Sequence, residues 1–326
     1  MPGLWQPGAV NALRLRPSTD DDVDAMLDVV QRAHLALTGR AHDMTRERVI
    51  GLRSAPGRDS GAEFPVVERA GRVVAWAGLF AFAPYSEVFV MQPLDPDLDD
   101  QAHRAVAGLL VDAGQREGLL RIAGLPADPS RVLASESLRE DSRLATVLVD
   151  LGFALDRNSY EMEIDLVGRD LTPAPWPPGL DVRRMHGTED AEAVSAVFLE
   201  AFRDHQGDLP FTPDLVRHVL AADDARSDLS YLAYDAEGPV GAILCRDRPS
   251  HGYVWVLGVL RRGRRRGLAQ ALLTHAFAEF AADGRTRVAL EVEAQSLTGA
   301  TRVYERAGMT VRAVHDTWTR PLERGR

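Results

Sequence analysis

The feature that most restricts this chain is a repetition, the same order of structural signals written twice on either side of a proline-rich stretch. Leu171-Thr-Pro-Ala-Pro-Trp-Pro-Pro-Gly179 holds four prolines in nine residues, a density that excludes helix and central strand alike. It reads as a linker at 171–179, with one domain expected over 1–170 and a second over 180–326. Three anchors carry the comparison. Ala25, Val29 and Ala33, in a helix opened by Thr19-Asp-Asp-Asp, match Ala193, Val197 and Ala201 in a helix opened by Thr188-Glu-Asp, at an offset of 168. Acids crowd both first turns, where the helix dipole favours negative charge. A hairpin signal around Gly71 matches one around Gly238 at an offset of 167, β-rich runs separated by a glycine turn. Finally, Leu144–Gly152 matches Ala300–Gly308 at an offset of 156, each a helix that stops at a glycine. Each half thus reads strand, helix, hairpin, long strand, helix, strand, helix, strand. That order predicts an α/β (α+β) fold of two tandem domains, each a mixed, mostly antiparallel central sheet flanked by helices.

With 326 residues, 45% hydrophobic and 26% charged, the chain can bury two cores, which excludes intrinsic disorder. Cys245 is the single cysteine, so no disulfide framework, structural zinc site or other metal centre is expected, and a reducing, cytoplasmic setting is. No apolar run reaches the ~18 residues of a membrane span, and Met1–Pro17 lacks a basic start followed by an apolar stretch, so a soluble protein is expected. The formal charge is −10 and every basic residue is arginine. Residues 1–170 carry a net −9 and 171–326 a net −1. A chain so acidic is a poor nucleic-acid binder by its bulk field, and any anion must be met by a local feature.

Such a feature stands in the second half. The long strand Tyr253–Leu260 runs directly into Arg261-Arg-Gly-Arg-Arg-Arg-Gly267, and a helix begins at Leu268. A strand feeding a glycine-containing basic loop into a helix N-terminus is an anion site. Backbone N–H groups from Arg264 to Ala269 converge with the positive helix end, and Gly267 admits a phosphate without a Cβ in the way. The arginines add charge-assisted bonds. There is no P-loop GKS/T and no G-x-G-x-x-G after a strand.

Val259 followed by Arg264-Arg-Arg-Gly267-Leu-Ala269 resembles the R/Q-x-x-G-x-G/A signature of the GCN5-related N-acetyltransferase (GNAT) superfamily. Leu290-Glu-Val292 and Ala300-x-x-Val-Tyr304-Glu-x-x-Gly308-Met resemble that family's later strand and helix. The resemblance covers 180–320 and, with the repeat, is to the tandem-domain type. It implies acetyl-CoA as co-substrate. Arg264, Arg265, Arg266, Gly267, Leu268 and Ala269 would hold its diphosphate, and Leu257, Gly258 and Val259 would pair with its pantetheine arm, with N–H groups near Val259 polarising the carbonyl. Where the family usually has Asn before the last helix, this chain offers Ser296 or Thr298 for the cofactor contact. Tyr304 takes the position of the general acid. Glu291 and Glu293 share one face of the strand Arg287–Glu293; Glu291 matches the glutamate some members use as base, with Glu293 and His251 as further candidates.

The acceptor would meet Phe202–Phe211, with Asp204, His205 and Asp208 suited to a polar or cationic amine, and Trp318. Cys245 has no histidine partner, so direct transfer in a ternary complex is expected. At the hairpin offset Arg264, Arg266 and Gly267 fall on Asp97, Asp99 and Asp100, and Tyr304 falls on Leu148 at the offset of 156. The first half is therefore expected to keep the shape without the chemistry. The expected activity is acetylation of a small-molecule amine by the second half, in a monomer or homodimer that binds neither nucleic acid nor membrane. A non-catalytic acyl-CoA-binding regulatory or assembly protein is the alternative, and an arginine-loop nucleic-acid binder a third class.

Overall fold

A computed structural model describes residues 13–203, 211–295 and 299–322. The first repeat runs β1 (Leu13–Arg16), α1 (Val23–Thr38), α2 (Arg46–Arg53), β2 (Val66–Arg69), β3 (Arg72–Trp76), β4 (Gly78–Ala81), β5 (Glu87–Met91), α3 (Asp100–Arg121), β6 (Val132–Leu138), α4 (Ser142–Asp150) and β7 (Ala154–Asp165). The second runs β8 (Asp181–Arg184), α5 (Ala191–Ala201), α6 (Pro213–Leu220), β9 (Tyr231–Asp235), β10 (Gly238–Asp247), β11 (Gly252–Val259), α7 (Leu268–Ala282), β12 (Arg287–Glu293), α8 (Ala300–Arg306) and β13 (Thr310–Pro321). The expected order of elements is present in both, with an extra strand, β4, in the first repeat and one addition common to both. A second short helix follows the first in each repeat, α2 capped by the Thr45 side chain and α6 by Thr212 with a proline in its first turn.

The chain divides into two compact units, residues 1–154 with 318–326, and residues 155–317. This differs from the division expected at 171–179, because β7 belongs by packing to the second unit although it closes the first repeat. It pairs antiparallel with β12 along that strand's whole length, from Arg287–Asp165 to Glu293–Ser159. Its inward residues Met162 and Ile164 are buried with Val288 and Leu290 in the second unit's main core; each buried side chain of this kind contributes ~1.5–3 kcal/mol. Conversely, Trp318 and Leu322 pack in the first unit. There Trp318 Nε1 donates to Ser137 Oγ (3.0 Å) and the Leu322 N–H to the Arg131 carbonyl (2.9 Å).

The proline-rich segment is not a free linker. Trp176 stacks on His275 of α7, with ring centroids 3.7 Å apart, and Ala174 bonds Thr274 and His275 through its N–H and carbonyl.

In the first unit β1-β2-β3 form one sheet and β4-β5-β6 run side by side. Trp76, fully buried, donates its indole N–H to the Met26 carbonyl of α1 (2.9 Å). In the second unit the strand order is β13-β7-β12-β11-β10-β9-β8. Helix α7 lies on β11 so closely that a Cβ on Gly252 would stand 2.5 Å from the Phe280 ring, so only glycine fits there. Helices α5 and α6 pack a second core, with Phe198, Val216 and Leu232, against β9 and β10.

Candidate active site

Strand β11 pairs with β10 from Asp247–Gly252 to Gly241–Val259. The register slips once: Leu244 faces Val256 and Cys245 faces Val254, so Trp255 is an extra residue and the strand bulges there. On its other edge β11 runs parallel to β12, with register pairs only at Gly252–Val288 and Tyr253–Ala289. Beyond Tyr253 the two strands part, leaving about 20 Å of strand edge from Val254 to Val259 without β12. Leu257, Gly258 and Val259 lie on this stretch. The parting begins next to the bulge.

From Val259 the chain makes a short 3-10 turn at Arg261–Gly263 and reaches Gly267, which occupies the N-cap position of α7 at φ 84°. No side chain caps this helix. A Cβ on Gly267 would meet nothing within 4 Å, and the N–H groups of the first turn have no partner inside the helix. Arg265 also has a positive φ, 60°, which a non-glycine residue adopts at some cost. Several of the arginine side chains brace the loop. Arg264 donates to the carbonyls of Val259 (3.1 Å) and Ala201 (3.2 Å), Arg266 to the carbonyl of Pro178 (2.7 Å), and Arg262 to Asp235 (2.9 Å). Beside these arginines, the loop offers an anion its backbone N–H groups and the helix dipole.

Tyr304 stands on α8, 7% exposed, among the second unit's core residues. Burial pushes its phenol up to about 12, so the hydroxyl keeps its proton at neutral pH. Glu291 on β12 is exposed and accepts a bond from Ser159 Oγ of β7 (2.6 Å). Glu293, opposite Ser159, has Arg157 at 3.7 Å. His251 is buried, its Nδ1 3.0 Å from Ser250 Oγ and its ring edge-on to Tyr253. The Cys245 thiol is buried and pushed strongly upward by that burial, which makes it a poor nucleophile.

Ser296, Thr298, Asp204, His205 and Asp208 lie outside the described residues. Trp318 packs in the first unit, bonded to Ser137, because the end of β13 lies there. Phe202 and Phe211, the ends of the expected acceptor segment, gather beside the bulge with Phe198 and Trp255, which sequence reasoning missed, and the Arg246 guanidinium stands 5.2 Å from the Trp255 ring centroid. The signal for this gathering was Thr212-Pro213, a helix start that brings Phe211 back onto α5.

In the first unit the corresponding strands stay together. β5 and β6 pair at four positions, from Glu87–Val132 to Val90–Ser135, and Gln92 Nε2 donates to Ser135 Oγ (2.8 Å), which donates to the Val90 carbonyl (2.9 Å). Helix α3 is capped by the Asp99 carboxylate, which accepts from the Ala102 N–H (2.9 Å). The helix starts align Gly267 with Asp99, one residue from the Asp100 expected. Asp95 is fully buried and bonded to Arg32 (3.0 Å) and Arg72. Leu148 is buried at the place of Tyr304.

Among the described residues no group of three or more His, Cys, Asp or Glu is arranged to hold a metal ion, and no helix is long and apolar enough to cross a membrane.

Residues 192–309 match the Acetyltransferase (GNAT) family. The chain is similar to mycothiol acetyltransferases of Geodermatophilus obscurus and Pseudarthrobacter chlorophenolicus. Each is 29% identical, over 231 and 247 residues, spanning 66% of this chain and 74% and 75% of those proteins. Among solved structures it superposes on a GCN5-related N-acetyltransferase from Sphaerobacter thermophilus with TM-score 0.74, 24% identity and 96% of each chain covered. It also superposes on a tandem GNAT protein from the clavulanic acid biosynthesis pathway, with TM-score 0.70, 17% identity and 97% and 100% covered. The second repeat thus carries the match to the acetyltransferase (GNAT) family, and the chain as a whole has the fold of a tandem GNAT protein.

Proposed function

We propose that the protein is an acetyl-CoA-dependent N-acetyltransferase whose active site lies in the second unit and which acetylates the amine of a small molecule by direct transfer in a ternary complex. The observation that carries this reading is the parting of β11 from β12 directly upstream of an uncapped helix N-terminus. A free parallel-strand edge suits an amide-bearing arm that bonds like an added strand, and the N–H groups from Arg264 to Ala269 suit a diphosphate. Bound acetyl-CoA supplies the activated acetyl group.

The chain's own residues have three tasks. Backbone N–H groups at the bulge polarise the carbonyl. Glu291, exposed on the strand bordering the cleft, takes the proton from the attacking amine, directly or through water. Tyr304, held protonated by burial, returns a proton to the leaving sulfur. The apolar surroundings that raise the phenol also raise a thiolate formed beside it, which keeps the two groups matched. The aromatic group around Trp255 and Phe211 forms a wall for the acceptor. The names of the two relatives, mycothiol acetyltransferases, support an amine on a small, polar metabolite.

Titration calorimetry tests the reading. One acetyl-CoA per chain is expected, with binding lost in the Arg264→Glu, Arg266→Glu double variant. Two equal sites would refute the assignment to the second unit alone.

A further inference from the structure

Strand β7 belongs by sequence to the first repeat and by packing to the second unit, and one of its side chains reaches the carboxylate proposed above as the base. We infer that Ser159 is a positioning residue for Glu291: its hydroxyl fixes the orientation of that carboxylate and favours its ionised form, so that a residue of the first repeat serves the reaction of the second. The inference rests on Glu291 acting as the base.

Three observations carry it. Ser159 is 8% exposed and donates through Oγ to Glu291 Oε1 at 2.6 Å, the short distance of a charge-assisted bond. In a strand a serine hydroxyl ordinarily finds water or a neighbouring backbone group; this one bonds a carboxylate across to the next strand. The register makes the bond diagonal, since Ser159 faces Glu293 while Glu291 faces Glu161. That second pairing sets two carboxylates directly opposite each other, where like charges repel.

The charged groups on this face are accounted for strand by strand. Arg312 of β13 bonds Glu161 (2.8 Å) and Glu163 (3.2 Å), Arg287 of β12 bonds Glu163 (3.2 Å), and Arg157 of β7 stands 3.7 Å from Glu293. Tyr253 of β11 borders the face beside Ala289. Against the neighbouring Glu161, the Ser159 hydroxyl is a neutral donor that stabilises the Glu291 carboxylate and fixes which of its oxygens faces away.

The test uses the full-length protein with carbon-13-labelled glutamate, the Glu291 carboxyl signal being assigned by its loss in Glu291→Gln. In Ser159→Ala that carboxyl should titrate roughly half to one pH unit higher. The acid limb of kcat/KM for acetyl transfer from acetyl-CoA to glucosamine should move upward by the same amount, with KM for acetyl-CoA unchanged. Ser159→Thr, which keeps the hydroxyl, should restore both. If Glu291→Gln is inactive while Ser159→Ala leaves titration and acid limb where they were, the role of Ser159 is overturned and the base assignment stands. If Glu291→Gln remains active, the base assignment falls, and this inference with it.

Discussion

The two helix N-termini that follow β5 and β11 are built alike and end differently. At α7 the cap position is Gly267, with no side chain on the first-turn N–H groups. At α3 it is Asp99, whose carboxylate already accepts from the Ala102 N–H, with Asp95 buried and paired to two arginines just upstream. A helix N-terminus attracts one anion at a time, so a chain that supplies its own carboxylate stabilises the helix and excludes a ligand. The strands repeat the lesson. β5 and β6 pair at four positions and are tied at the end by Gln92 and Ser135, whereas β11 and β12 pair at two and part. One unit has filled the places where a diphosphate and an extended arm would go; the other leaves both open.

The comparison breaks most easily at Tyr304, whose counterpart is the buried Leu148. Tyr304→Phe keeps the ring in the core and removes only the hydroxyl, so kcat should fall by about 10²–10⁴, the usual contribution of a general acid, with KM for acetyl-CoA unchanged. Steady-state kinetics from pH 6 to 9 decide it. Because the phenol is pushed up to about 12, it is protonated over that whole range, and no basic limb in the wild-type profile should belong to it. Turnover within a factor of about two of wild type would remove Tyr304 from the reaction.

Exchanging the caps should sharpen the contrast. Gly267→Asp gives α7 the residue that α3 has, and its carboxylate would stand where the diphosphate is expected. Acetyl-CoA affinity should drop at least about tenfold, ~1.4 kcal/mol, from repulsion and competition for the same N–H groups. The reciprocal change, Asp99→Ala, should leave that affinity untouched and cost about 1 kcal/mol of stability, the ordinary worth of a cap. Calorimetry and thermal unfolding of both variants separate the effects; an affinity change in Asp99→Ala would show that the first unit takes part in binding.

Much of this was legible in the residues. The repeat, the strand-to-loop-to-helix junction at Val259–Leu268 and the alternation that puts Glu291 and Glu293 on one face follow from local chemistry, which the sequence carries in order. What was not legible depends on partners distant along the chain. Strand β7 reads as the end of the first repeat, and only its full pairing with β12 and the burial of Met162 and Ile164 among the second unit's residues reveal where it packs. The same exchange places Trp318 in the first unit, bonded to Ser137. That arginines 264 and 266 also brace the carbonyls of Val259 and Pro178 was not legible, because charge is visible in sequence and such partners are not.

The smallest effect concerns what the units share. Before α1, Arg16 holds Asp22 by two bonds of 2.7 Å each; before α5, Arg183 holds Asp190 by bonds of 2.9 and 2.6 Å. Each carboxylate also accepts a backbone N–H, from Thr19 and His186 respectively. The arginine bonds are the main reason Asp22 is held down at about 2 and Asp190 below the ordinary carboxylate range. A carboxyl whose folded value is depressed binds its proton more readily when unfolded, so its contribution to stability is fully present above about pH 4 and is lost as the pH falls through the folded value. For Asp22 that window runs from about pH 4 down to about 2. Because both arginines remain partly in solvent, each pair should contribute less than about 1 kcal/mol. Thermal unfolding between pH 5 and 2.5 should therefore show a shallow decline that Asp22→Asn and Asp190→Asn each reduce by a similar amount. If only one of them changes the slope, this element is as asymmetric as the helix caps, and the divergence of the repeats extends to the frame that holds their first helices.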